Sequence, residues 1–149
     1  MKPAFFQRAL LLFVTFILSF ISFSQSVIIP YGANWKYLDN GTDQGIGWRA
    51  SAFNDAAWIS APAELGYGDG DEATVVSFGP SSTNKYVTTY FRKSITIANP
   101  ALYSDFTLNV EYDDGCIVYV NGTEVARARM TNPISFTKLA DNPAVEDLI

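Results

Sequence analysis

Seven carboxylates carry most of the chemical scope of this sequence: Glu64, Asp69, Asp71, Glu72, Glu111, Asp113 and Asp114. Histidine is absent from the whole chain. A Ser-His-Asp or Cys-His nucleophile system therefore cannot be assembled, and neither can the histidine-bearing zinc sites of hydrolases. Carboxylates alone can work as acid and base on a glycosidic bond when two of them face each other at a fitting separation and burial raises the pKa of one. Most of the seven sit in glycine-rich turns, where nothing in the sequence holds such a pair or desolvates one member. The chain thus reads as a protein without an active site, not an enzyme.

Metal binding is the chemistry these turns suit better. Asp69-Gly70-Asp71-Glu72 follows Leu65-Gly66-Tyr67-Gly68, and three acids between glycines make neither a helix nor a strand core. Ca2+ accepts carboxylate and carbonyl oxygens, so Asp69, Asp71 and Glu72, with Asp113 and Asp114 of a second acidic turn, are the expected ligands. The spacing is not that of an EF-hand, whose twelve-residue loop ends in a coordinating Glu. Asn40-Gly41-Thr42 and Asn121-Gly122-Thr123 match the glycosylation sequon, yet ordinary turn chemistry accounts for both.

The elements that position these turns read as strands. Short strands are expected at Ser26 to Pro30 and Ala33 to Leu38, and a helical turn at Phe53 to Trp58, capped by Asn54 or Asp55 with Trp58 as a core anchor. An extended patch follows from Ala73 to Phe78. Tyr86 to Ile97 is rich in Val, Thr, Tyr and Ile, and Phe106 to Tyr112 alternates cleanly: Phe106, Leu108, Val110 and Tyr112 face one way, Thr107, Asn109 and Glu111 the other. Asp113-Asp114-Gly115 turns the chain into Cys116 to Val120. Asn121-Gly122 then reverses it into Thr123 to Ala126, because both residues tolerate the positive φ of a type I′ turn. One more strand is expected at Ile134 to Thr137. Short strands with turn chemistry between them and no long amphipathic helix give an all-β fold, a β-sandwich of jelly-roll kind.

The opening segment fixes the compartment. Lys2 and Arg8 precede an apolar run from Ala9 to Phe23 broken only by Thr15, Ser19 and Ser22, and small residues at Ser22 and Ser24 mark cleavage before Gln25. Residues 1–24 are read as a signal peptide and 25–149 as one domain, secreted or at the cell surface, with no membrane segment after cleavage. Cleavage removes Lys2 and Arg8 and no acid, so the formal net charge moves from −5 to −7. Nucleic acid and anionic membrane are then poor partners, since both are attracted by positive surface. Cys116 is the only cysteine, which excludes an intrachain disulfide; its strand setting favours a buried, inert thiol.

Three stretches resemble a known family. They are Asn34-Trp35-Lys36-Tyr37-Leu38-Asp39; Trp48 through Phe53-Asn54-Asp55-Ala56-Ala57-Trp58 to Gly70; and Thr89-Tyr90-Phe91-Arg92-Lys93 with Asp113-Asp114-Gly115 to Asn121-Gly122. Together they are similar to the galactose-binding-like jelly-roll modules that accompany other domains in secreted bacterial proteins, some with metallophosphoesterase or lamin-tail domains. The resemblance implies a non-catalytic module that binds a glycan or packs against a neighbouring domain of a longer parent protein, such as a hydrolase or phosphoesterase domain, some members carrying structural calcium. No sugar-binding position carries over from it. From the residues themselves, a sugar platform would draw on Trp35, Trp48, Tyr67 and Tyr86. In such modules a closing strand comes late, and no β run follows Leu139, so 25–149 is expected to be incomplete at its C-terminal side and marginal alone.

Overall fold

A computed structural model describes residues 26–141. The signal-peptide reading, the cleavage position and the tail from Asn142 to Ile149 lie outside these residues. The fold is all-β, built from three small sheets.

The largest sheet has the order β2-β1-β5, with β1 at Asn34–Leu38 in the centre, β2 at Ile59–Pro62 and β5 at Tyr90–Arg92, all antiparallel. Its register sets Trp35 opposite Ala61, Tyr37 opposite Ile59 and Phe91, and Leu38 opposite Tyr90. A two-stranded parallel pair joins β3 (Leu65–Gly66) to β4 (Thr74–Val75) on either side of the acidic loop. The third sheet is the hairpin of β6 (Cys116–Val120) and β7 (Thr123–Ala128). Its turn has φ of 50° at Asn121 and 83° at Gly122, the left-handed pair that the Asn-Gly dipeptide predicts. Val118 faces Ala126 while Tyr119 faces Glu124, so Val125 is an extra residue, a bulge that twists the hairpin. The sheets do not close on one another, so the coarse class holds without a jelly-roll sandwich being drawn in the backbone.

The core is small and aromatic. Tyr37, Trp58, Val76 and Tyr90 are each 7% exposed or less. Tyr90 meets the edge of Trp48 with centroids 5.0 Å apart and lies 6.2 Å from Trp58, which in turn meets Phe53 at 5.7 Å. Each such pair adds about 0.5–1.5 kcal/mol beyond burial alone. Arg92 locks this cluster: its Nε donates to Asp55 Oδ2 at 2.9 Å, its Nη1 donates to the Trp48 carbonyl, and its guanidinium lies 5.1 Å over the Phe53 ring. Trp58 is thus the anchor that its sequence context suggests.

Several expected elements take another form. Phe53 to Trp58 is a turn without a helix, because Asn54 Oδ1 accepts from the Ala56 N–H at 3.1 Å and the Trp58 N–H returns to the Asp55 carbonyl at 3.0 Å. Such local bonds compete with a helical ladder. Ser26 to Pro30 and Ile134 to Thr137 form no strand, and of Tyr86 to Ile97 only Tyr90–Arg92 pairs. The sharpest correction is Phe106 to Tyr112, which forms no strand despite its alternation. A strand needs a ladder partner, and among the described residues no backbone hydrogen bond links this stretch to another.

Candidate functional site

The acidic loop between β3 and β4 is shaped by its own carboxylate. Glu72 accepts from the Asp69 N–H through Oε1 and from the Gly70 N–H through Oε2, each at 3.1 Å. Gly68 and Gly70 make this possible with φ of 122° and 83°, a region that side chains disfavour. Backbone N–H groups, its own foremost and then those of Asp69 and Gly70, hold the Glu72 carboxyl below its ordinary pKa. Oxygens of Asp69, Asp71 and Glu72 all lie within 4.8 Å of one another, with both Asp exposed and Glu72 half-buried. Three oxygen donors converging from one loop could hold a metal ion. Asp113 and Asp114, in the exposed turn ahead of β6, are not part of that group.

A second acidic feature was not legible in the sequence. Tyr31 Oη donates to Glu64 Oε2 at 3.2 Å, joining residues 33 positions apart. Desolvation raises the Glu64 pKa, and the charges of Glu111, Asp71 and Glu72 push the same way against the Tyr31 hydrogen bond. The bond to Glu64 is also the main reason that the Tyr31 hydroxyl is raised. No residue type at a fixed spacing signals this pair; it arises where the chain entering β1 meets the turn after β2.

The four expected sugar-platform aromatics are half-buried, and Trp48, Tyr67 and Tyr86 are engaged in packing. Trp35 stands in β1 against β2. Trp48 lies in the 3-10 turn Gly47–Arg49, edge-on to Tyr90 and, at 5.8 Å, to Tyr119. Tyr67 packs on Phe78 at 5.3 Å, with the Lys85 ammonium 4.7 Å over its ring. Tyr86 presses on Gly41, where an added Cβ would come within 2.4 Å of its ring and φ is 70°. Tyr67 and Tyr86 are brought near each other around Phe78 and Gly79, since Tyr86 also crowds Gly79 and its N–H donates to the Phe78 carbonyl.

Two surface depressions stand out. One, of about 420 Å³, lies between the first 3-10 turn and the β6–β7 turn; the other, of about 350 Å³, lies between Ser26–Ile28 and Thr96–Asn99. None of the four aromatics lines either. Cys116 is half-buried at the start of β6, and burial pushes its thiol above the ordinary value. No helix among the described residues is long and apolar enough to cross a membrane. No family model matches this chain, and no curated protein and no solved structure matches it.

Proposed function

We propose that this chain is a non-catalytic accessory module of an exported protein, a galactose-binding-like jelly roll whose role is to pack against a β-strand of a neighbouring domain in a longer parent protein. One observation carries the reading. Phe106, Leu108, Val110 and Tyr112 are 61, 51, 42 and 45% exposed in a stretch that has strand alternation and, among the described residues, no ladder partner. From Asp105 to Tyr112 the chain makes no turn or bend and has no positive φ. An extended stretch with exposed apolar side chains at alternate positions is suited to strand addition, in which main-chain bonds give affinity and alternate side chains give specificity. The commitment of Trp48, Tyr67 and Tyr86 to packing, with Trp35 half-buried in β1, supports docking over a glycan platform made from them.

The acidic loop enters as a structural element of the same module, with Ca2+ as its occupant. Its three oxygen donors are hard ligands on a loop that already turns about Glu72. Calcium there would fix the β3–β4 connection and take no part in docking.

Amide hydrogen exchange tests the docking reading on the mature chain. Thr107, Asn109 and Glu111 should exchange at nearly unprotected rates, and a seven-residue synthetic peptide of alternating Val and Thr should protect them. Amides already protected in the chain alone, or indifferent to saturating peptide, would sink the reading.

A further inference from the structure

The smaller depression, of about 350 Å³, is lined by apolar side chains that the fold leaves uncovered. Ile28, Ile97 and Tyr103 are its half-buried members, while Val27 and Leu102 stand 73 and 77% exposed. None of its lining residues is charged, in a chain with 15 acidic and 10 basic residues. One wall is formed before any ligand arrives. Asn99 Oδ1 accepts from the Ala101 N–H at 3.2 Å and the Tyr103 N–H donates to the Pro100 carbonyl at 3.1 Å, closing the 3-10 turn Pro100–Leu102. Pro100 also fixes its own φ, so this turn presents Leu102 and Tyr103 on backbone with little freedom left to lose on binding.

The groove is continuous with the exposed stretch that follows it. Tyr103 stacks on Phe106, with centroids 5.5 Å apart and planes 28° apart. Its ring is thus shared between the groove and the first of the four alternating apolar side chains. The chain bends at Ser104, between the two. A strand laid along Phe106–Tyr112 therefore meets the groove as it passes Phe106.

We propose that this groove receives one large apolar side chain, phenylalanine or leucine, carried by the docking strand just beyond its paired residues. The inference rests on the docking reading and adds a specificity pocket to it. An antiparallel strand brings its C-terminal end to the groove, since the stretch itself runs from Phe106 towards Tyr112. Antiparallel pairing is the more stable per residue, and the largest sheet of this fold uses it throughout. Main-chain bonds accept nearly any extended sequence, whereas a pocket past the paired residues selects strands that end in a bulky apolar group. A charged side chain would find no counter-charge in this lining and would lose hydration on entering it.

The test titrates three capped peptides into the mature chain: the seven-residue peptide of alternating Val and Thr, the same peptide extended at its C-terminus by Gly-Phe, and the same peptide extended at its N-terminus by Phe-Gly. The Gly-Phe peptide should shift the amides of residues 26–28 and 96–99 saturably and bind about tenfold tighter than the plain one, the return from partly burying a ring in an open groove. Leu102→Ser and Val27→Ser should each bring the Gly-Phe peptide nearly level with the plain one. Both side chains are exposed, so melting should change little. If all three peptides protect the Thr107, Asn109 and Glu111 amides equally and none shifts the groove, the pocket is overturned and docking stands; if none protects them, both fall. An equal gain from the two extensions, or a gain confined to Phe-Gly, also overturns the proposal. So do groove shifts that follow protein concentration without peptide, which would assign the groove to a second copy of the chain.

Discussion

The β1 strand and the Phe106–Tyr112 stretch have sequences of the same grammar and opposite fates. Each places aromatic and aliphatic side chains at alternate positions between turn residues. β1 finds β2 on one side and β5 on the other, and buries Tyr37 to 7% exposure. The other stretch finds no ladder among the described residues, and its four apolar side chains stay at 42% exposure or above. Alternation tells which way side chains would face. It does not tell whether a partner strand is present, because pairing is decided by residues far along the chain.

The contrast is broken most directly by cutting large side chains in both regions. Trp58→Ala should cost about 3–5 kcal/mol, from lost burial and the cavity left beneath Tyr90 and Phe53. Leu108→Ala and Val110→Ala should each change stability by under about 0.5 kcal/mol, as exposed positions do. Urea unfolding followed by tryptophan fluorescence measures all three; comparable losses in the two regions would show that the Phe106–Tyr112 face is packed in solution.

Arg92→Met sharpens the comparison from the polar side. It removes the bond to Asp55, where the two side chains are 11% and 24% exposed, and the bond to the Trp48 carbonyl. A loss of roughly 1.5–3 kcal/mol is expected for hydrogen bonds to a charged group. A double-mutant cycle with Asp55→Asn isolates the pair, and additivity of the two single losses would remove the clamp from the account of why this region is rigid.

The calcium proposed for the β3–β4 loop is tested outside both regions. Millimolar calcium should raise the melting temperature of the mature chain relative to excess chelator, since binding to the folded state alone stabilises it. Asp71→Asn should abolish most of that rise. An unchanged melting temperature would remove the ion from the loop, and a rise that survives Asp71→Asn would move it elsewhere.

The smallest effect concerns acid. Asp141 is held at about 2 by the Lys138 ammonium, whose Nζ lies 2.6 Å from its Oδ1, and by hydrogen bonds from Thr131. A carboxyl whose pKa is depressed on folding stabilises the fold above its unfolded pKa of about 4, and that contribution fades as pH falls towards 2. Asp141→Asn should therefore differ from wild type in melting temperature at pH 6 and converge with it near pH 2. A constant difference across that range would separate Asp141 from the acid response.

Local chemistry in the sequence was a good guide where one short segment decided the outcome. Asn121-Gly122 specifies its own turn, Trp58 its anchoring role, and glycines flanking Asp69, Asp71 and Glu72 a loop that draws their oxygens together. Asp113 and Asp114 looked equally ligand-like, but nothing in a dipeptide says how far it lies from the other turn. The Tyr31–Glu64 bond and the Arg92 clamp both depend on contacts across more than thirty residues. β2 was missed for a related reason: Ile-Ser-Ala-Pro has little strand character, and it pairs because the turn before it delivers it to β1.

The half-buried thiol of Cys116 makes the molecule a recorder of its own opening. Oxidative coupling proceeds through thiolate, and a thiol whose pKa is raised by burial holds less of it while the hairpin is closed. Coupling between two chains is then favoured from molecules in which β6 has come away from its neighbours. Since no second cysteine competes within the chain, covalent dimer that accumulates under mild oxidant should form faster in variants whose sheet spends more time undone.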